Sequence, residues 1–278
     1  MIRSLAAFLL ISAAVPSVAQ DSQQRIEWNR PAEPFRLIGN VHYVGTDGLS
    51  AFLVAGPQGH VLIDGGLPES APLIAANIRR LGFKLSDVRY LLINHAHFDH
   101  AGGLAELKRL TGAKLVASAG DRADLEAGRT LNRPELDGFP RVKVDRIVRD
   151  GEALRLGSIV LTAHITPGHT RGATSWSMVT GGRTVLFATS MTVAGQKLRG
   201  DPLYPDAEAD FTRTFAKLRR LKADVFLNFH PEFFDLKRKR AAQVAGRADA
   251  FVDPGELQRQ VSRAEVAFRA EKTKQAAR

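Results

Sequence analysis

The 278-residue chain contains no cysteine. No disulfide can staple it, and any metal site it builds must use nitrogen and oxygen donors rather than thiolate. It also lacks a low-complexity linker or a second compositional regime, so the length reads as one domain. Acidic residues are in the minority, 29 Asp and Glu against 39 Lys and Arg, for a formal net charge of +10. A basic balance can serve nucleic acid or an anionic surface. Here the cations are scattered, apart from Lys237-Arg238-Lys239-Arg240 and a mixed C-terminal helix, and these read as solvated helix faces.

Long apolar runs are missing except at the N-terminus. There Arg3 precedes the run from Leu5 to Val15, which is too short to span a bilayer, and Ser17-Val18-Ala19 follows with small residues where a signal peptidase reads. Residues 1–19 are therefore expected to be a secretory signal cleaved after Ala19. Residues 20–278 are expected to form a single monomeric domain working in the periplasm, with neither a membrane nor a nucleic-acid partner.

After that segment come short strands separated by Gly and Asp: Phe35 to Ile38, Val41 to Val44, Ala51 to Val54 and His60 to Asp64. Helical spacing follows from Ser70 to Leu81, closed by Gly82, and then a nearly unbroken apolar strand, Val88 to Ile93. Leu104 to Leu110 reads as a helix, Lys114 to Ala117 as a strand, and Gly128 to Pro140 as a long surface loop. Strand patterns return at Val142 to Val144, Ala153 to Leu156, Ile159 to His164, Ala173 to Ser177 and Thr184 to Ala188. A helix from Ala207 to Leu221, a strand from Ala223 to Asn228 and a helix from Pro254 to Ala270 complete the chain. Two similar halves of strands and helices imply an α/β chain folded as an αββα sandwich, two packed mixed sheets with helices outside.

Histidine is scarce too, with eight in the whole chain, yet three of them fall in Asn94-His95-Ala96-His97-Phe98-Asp99-His100-Ala101-Gly102-Gly103. The loop begins where a buried strand stops. His95 and His97 are two apart and face the same way in an extended segment, whereas Asp99 and His100 are placed to serve a second ion alongside. Gly102 and Gly103 would let the backbone turn tightly. A catalytic zinc typically takes three protein ligands and leaves a position open. Two further histidines sit at strand ends: His169 in Thr166-Pro167-Gly168-His169-Thr170, and His230 in Leu227-Asn228-Phe229-His230-Pro231. Six ligands divide into two sets of three, which predicts two Zn2+ ions per chain, zinc being suited to imidazole and carboxylate. His42, His60 and His164 lie within strands with no ligand neighbours and read as structural. Asp64, ending a strand in Leu62-Ile63-Asp64-Gly65-Gly66, reads either as a turn cap or as a hydrogen-bond partner of a ligand histidine.

Together His95-x-His97-x-Asp99-His100, Ile63-Asp64-Gly65-Gly66, His169 and His230 resemble the metallo-β-lactamase superfamily over essentially all of residues 20–278. Ser175-Trp176, Tyr204-Pro205-Asp206 and His230-Pro231-Glu232-Phe233-Phe234 look like its subclass B3. The resemblance implies that His95, His97 and His169 hold a first zinc, and that Asp99, His100 and His230 hold a second. It further implies that Asp99 orients the attacking water and that Ser190 and Thr192 bind the substrate carboxylate. Thioesterases and lactonases of the superfamily carry a metal-bridging aspartate in the region of Phe187-Ala188-Thr189-Ser190-Met191-Thr192, where this chain has Thr189 and Ser190. Other β-lactamase subclasses carry a zinc-binding cysteine there, and this chain has none. The position before Ser190 is often Asp in subclass B3, so Thr189 is a departure. The expected activity is zinc-dependent hydrolysis of β-lactam antibiotics such as penicillins, cephalosporins and carbapenems. A lactonase or glyoxalase-II-like thioesterase is the alternative. A nucleic-acid-processing enzyme fits the hexapeptide and the charge but not the signal, and a purely structural zinc site would not leave positions open.

Overall fold

The computed structural model describes residues 17–277, with side chains described from Gln23 onward. The expected secretory segment lies outside the described residues, apart from the backbone of Ser17 to Ala19 at the start of helix α1 (Ser17–Trp28).

Seven strands form the first sheet in chain order: β1 (Phe35–Ile38), β2 (Val41–Tyr43), β3 (Phe52–Val54), β4 (His60–Ile63), β5 (Val88–Leu92), β6 (Lys114–Ser118) and β7 (Arg146–Val148). β1 to β4 pair antiparallel through short turns, and β4 to β7 run parallel. Parallel neighbours need crossovers, and helices α2 (Ala71–Arg80), α3 (Phe98–Ala101), α4 (Leu104–Thr111) and α5 (Ala119–Ala127) supply them. All four residues of β4 are buried, as expected of a central parallel strand covered on both faces. The second sheet runs β12 (Val225–Asn228), β11 (Arg183–Ala188), β10 (Thr174–Thr180), β9 (Ile159–Ile165) and β8 (Ala153–Leu156), antiparallel except for β11 with β12. Helix α6 (Ala207–Arg220) connects β11 to β12, and α7 (Leu236–Val244) and α8 (Glu256–Ala276) follow β12.

One apolar cluster joins both sheets to α6 and α8, through Phe52, Trp176, Phe187, Phe211 and Phe268 among others. A second lies between the first sheet and α2, α4 and α5, through Leu53, Leu62, Leu91, Ile74 and Leu107. Two mixed sheets with helices outside give the sandwich. Each fully buried Phe contributes about 1.5–3 kcal/mol by leaving water, so this double core stabilises the two sheets that carry the strand ends.

Three local readings are corrected. Val142 to Val144 is not a strand: the segment is extended with alternating burial, but Val142 N–H donates to Leu125 O at 3.0 Å in α5 rather than to a ladder. The strand lies a few residues later, at Arg146–Val148. Residues 128–140 form a loop with buried anchors at Thr130, Arg133 and Phe139 rather than a loop lying wholly on the surface. In the basic run, Lys239 turns inward to a buried pair with Glu256, and the Arg240 guanidinium lies 4.2 Å from the Phe35 ring centroid.

Candidate metal centre

Parallel pairing puts the C-terminal ends of β4, β5 and β6 on one edge of the first sheet, and those of β11 and β12 together in the second. These ends release Asp64, the His95–His100 loop, Asp121, Thr189–Ser190 and His230. His169 arrives from the turn after β9. His97 stands as the N-cap of α3, so Asp99 and His100 project from the helical turn that follows, with the His100 ring centroid 4.3 Å from that of His95.

Donor atoms of His95, His97 and His169 lie within 4.8 Å of one another, all buried. Asp99 and His100 also approach His95 within that limit, and they form a close triangle with His230. His100 Nε2 is 3.2 Å from His230 Nε2, and Asp99 Oδ2 is 3.4 Å from each of them. Ligands bound at about 2.0–2.1 Å around a tetrahedral ion stand about 3.3–3.4 Å apart, so this triangle has the dimensions of one ligand set.

Hydrogen bonding on the far side of each ring supports the same conclusion. His100 Nδ1 faces Asp64 Oδ2 at 2.9 Å, His169 Nδ1 faces Thr192 O at 2.6 Å, and His95 Nδ1 pairs with Asn94 Oδ1. Each partner is an acceptor, so the proton sits on Nδ1 and the lone pair on Nε2. The Nε2 atoms of His95 and His97 are buried with no protein partner. Several inward lone pairs beside a carboxylate repel one another unless a cation lies among them. The residues present fit metal ions.

Burial holds His95 and His97 well below the usual imidazole value and takes His169 down to about 4. Burial works against the charged form of Asp99 too, but His100 and His230 outweigh it and keep that carboxyl below its ordinary range. His100 is lowered by burial and raised more by Asp99 and Asp64, ending above its usual value.

Asp64 is therefore a partner of His100. It takes the left-handed backbone at φ +68, and its Oδ1 accepts the Asn94 N–H at 2.9 Å. Gly102 and Gly103 have a different role from the one expected. Their φ values are −54° and −82°, ordinary helical values. What they provide is space: a Cβ would come 2.4 Å from Pro68 Cδ at Gly102 and 2.3 Å from Gly65 O at Gly103. Thr189 turns inward, 3.1 Å from Asn94 Oδ1, and its N–H donates to Ser175 Oγ. Ser190 Oγ and Thr192 Oγ1 lie 3.0 Å apart and line a cleft of about 420 Å³ that also reaches His97, Asp99, His169 and His230. His42, His60 and His164 stay out of the centre: the first two pack on Phe83, and His164 Nε2 pairs with Ser177 Oγ at 2.8 Å.

Other contributors carry no motif in the sequence. Asp121 is fully buried and accepts from Ala96 N, Thr170 Oγ1 and Gly172 N at 2.8–3.0 Å, tying the His95–His97 loop to the His169 turn. Trp28 of α1 stands over the centre, its ring 5.5 Å from that of His230. Arg133 enters from the loop after α5.

Residues 44–230 match the family model described as the metallo-β-lactamase superfamily. A metallo-β-lactamase of Cronobacter sakazakii with an HARLDQ motif superposes with a TM-score of 0.89 at 40% identity, covering 92% of this chain and 100% of that one. Its motif has Arg and Gln where this chain has His97 and His100. BJP-1, a subclass B3 metallo-β-lactamase of Bradyrhizobium japonicum, superposes with a TM-score of 0.85 at 43% identity, covering 90% and 97%. A curated hydroxyacylglutathione hydrolase of Rhodopseudomonas palustris is 36% identical over 103 residues, 37% of this chain. The match spans only about a third of that relative's length, 32%.

Proposed function

The chain belongs to the metallo-β-lactamase superfamily of hydrolases, and within it we propose that the protein is a subclass B3-like β-lactamase. In this reading it opens the amide of penicillins, cephalosporins and carbapenems. The observation that carries the reading is the end of β11. Thr189 is buried against Asn94, and the next side chains lining the cleft are the hydroxyls of Ser190 and Thr192. No carboxylate stands there to bridge two metals, and the hydroxyl edge suits the carboxylate that a bicyclic β-lactam carries beside its scissile bond. The likeness to subclass B3 chains over nine-tenths of the sequence supports it further.

His95, His97 and His169 would hold one zinc ion, and Asp99, His100 and His230 a second. Bound there, the ions would supply Lewis acidity and acidify water, which makes a nucleophile available near neutral pH. The remaining work falls to this chain's side chains. Asp99, ionised and facing the cleft, can accept a hydrogen bond from the attacking water and orient it for in-line approach. Asp64, Asn94 and the Thr192 carbonyl fix the tautomers and ring planes of His100, His95 and His169. Ser190 and Thr192 would orient the substrate through its carboxylate. No side-chain nucleophile is needed, and Ser190 has no His–Asp pair attending it. The N-terminal segment carries the pattern of an export signal, so we place the mature chain, from about Gln20, in the periplasm.

The test is a panel: purified protein assayed on a penicillin, a cephalosporin, a carbapenem, an acyl-homoserine lactone and a glutathione thioester. β-Lactam turnover well above the other two classes is expected. Efficient lactone or thioester hydrolysis with no β-lactam turnover would replace the reading with a lactonase or thioesterase.

A further inference from the structure

Two cations line the cleft, Arg25 and Arg133. Arg25 is saturated. It pairs with Asp137 at 2.6 Å and with Glu69 at 3.0 Å, and its guanidinium faces the Phe98 ring. Arg133 is more deeply buried and pairs with a single carboxylate. Its side chain is only 10% exposed, whereas its carboxylate partner Glu135 is 59% exposed and shares its charge with water. Nε donates to Glu135, Nη2 donates to the backbone carbonyl of Ala194 at 3.0 Å, and Nη1 donates to no protein acceptor among the described residues.

The Ala194 carbonyl is an unusual thing for a guanidinium to hold. Gln196 N–H donates to Val193 O at 3.0 Å, closing a four-residue turn whose central residues, Ala194 and Gly195, lie at φ +49 and +78. Two left-handed residues in succession make a type I′ turn, which favours Asn, Asp or Gly at its first central position. Alanine there is strained, and such a conformation persists where the surroundings impose it. Arg133 is the side chain that reaches across the cleft to do so. The same segment carries the hydroxyl pair: Ser190 Oγ lies 3.0 Å from Thr192 Oγ1, and the Thr192 carbonyl holds His169. One guanidinium thus anchors the far end of the segment whose near end forms the hydroxyl edge.

We infer that Arg133 is the specificity-determining residue for anionic substrates: its grip on Ala194 positions the Ser190–Thr192 edge, and its remaining N–H adds the positive charge which that edge lacks. Hydroxyls alone do not neutralise a carboxylate taken out of water, and the other cation of the cleft is already committed to two carboxylates. The inference rests on the β-lactam reading of the site.

The test compares zinc-loaded wild type, R133A, R133K and R133A/A194G on a cephalosporin with a free carboxylate and on its methyl ester. Loss of a charge-assisted contact should raise KM for the acid about 10- to 100-fold in R133A. KM for the ester should change less than about threefold, and kcat should stay within about threefold for both. R133K keeps the charge without the fork, so it should restore the acid-to-ester ratio only in part. In R133A/A194G the turn forms without strain, because glycine takes positive φ freely, and part of the lost acid affinity should return. Equal KM increases for acid and ester, an unchanged acid KM in R133A, or no recovery in the double variant would each overturn the role of Arg133. If R133A does not fold, R133K and R133Q read the same acid-to-ester ratio. Wild type that turns over neither compound overturns the β-lactam reading and this inference together, whereas turnover with an unaltered ratio in the variants overturns Arg133 alone.

Discussion

The carboxylate of Asp64 lies 2.9 Å from Nδ1 of His100, and Asp64 reaches it from a left-handed backbone at φ +68. That conformation costs a non-glycine residue about 1–2 kcal/mol, and Asp is among the few side chains that tolerate it. The strained turn at the end of β4 aims one carboxylate at both His100 and the Asn94 backbone N–H.

Replacing Asp64 should therefore act on the metal before the fold. Asn also tolerates the left-handed region, so Asp64→Asn keeps the turn and removes the charge behind His100. Metal affinity of the Asp99–His100–His230 set is expected to fall about 10- to 100-fold, in line with the loss of a partner behind a ligand histidine. Asp64→Ala should additionally lower stability by about 1–3 kcal/mol, because the buried Asn94 N–H loses its acceptor. Metal content after dialysis against graded chelator, read beside thermal unfolding, checks both. An Asp64→Asn protein that retains metal like wild type would sink this account.

Acidification should empty the two ligand sets in order. Burial keeps His95, His97 and His169 far below the usual imidazole value, His169 at about 4, so protons compete poorly for them. His100 is raised instead by Asp99 and Asp64, which outweigh its burial. As pH falls toward the usual imidazole value of about 6.5, protons should compete for His100 before they compete for those three. Protein titrated with acid from neutral pH should then pass through a state with close to one zinc per chain, and His230→Ala should hold close to one at neutral pH. Simultaneous loss of both ions on acid titration would contradict the division into two sets.

Asp121 gives a stability prediction of its own. Burial pushes its carboxyl from 3.8 up to about 7, against the donors of Ala96, Thr170 and Gly172. The folded-state value lies above the unfolded one, so folding takes up a proton. The stabilisation is complete below about 4 and is lost as pH rises to about 7. A wild-type unfolding midpoint that declines across this window should become flatter in Asp121→Asn. Asp121→Ala strands three buried donors, at about 1–3 kcal/mol for each group left unmet, and should lower the midpoint at every pH. An Asp121→Ala protein as stable as wild type would mean that the two ligand loops are held by something else.

Why some of this was legible in the sequence and some was not follows from where each residue's information lies. His95, His97, Asp99 and His100 announce themselves because four donors in one loop have no ordinary structural explanation. His169 and His230 are visible because each follows an apolar strand. The sandwich was legible too, since the parallel strands β4 and β5 end in apolar runs, Val61 to Ile63 and Leu91 to Ile93. Asp121 is invisible in the same reading: its three partners come from segments 25, 49 and 51 residues away, and an Asp early in a helix looks like an ordinary first-turn acid. Gly103 shows the opposite limit. A Gly-Gly pair reads as a flexible turn, whereas the constraint is the Gly65 carbonyl close against it, and only tertiary packing brings those two together. Val142 to Val144 was misread because alternating burial against α5 imitates alternating burial in a sheet.

The Ser190–Thr192 edge separates binding from chemistry. Ser190 Oγ shares a hydrogen bond with Thr192 Oγ1, while Thr192 holds His169 through its backbone carbonyl, which a side-chain change leaves in place. Ser190→Ala therefore removes a hydroxyl from the cleft wall without touching a metal-facing nitrogen. If that hydroxyl binds the substrate carboxylate in ground state and transition state alike, its loss raises KM and leaves kcat nearly intact. One such hydrogen bond to a charged group is worth about 1.5–3 kcal/mol, or roughly 10- to 100-fold in kcat/KM, with Thr192 taking over part of the contact and drawing the result toward the lower end. The effect should shrink as salt screens the charge on the substrate. Steady-state kinetics of Ser190→Ala on a penicillin and a carbapenem, at low and high ionic strength, measures all three quantities. A drop confined to kcat at constant KM would instead assign Ser190 to the transition state and remove it from carboxylate recognition.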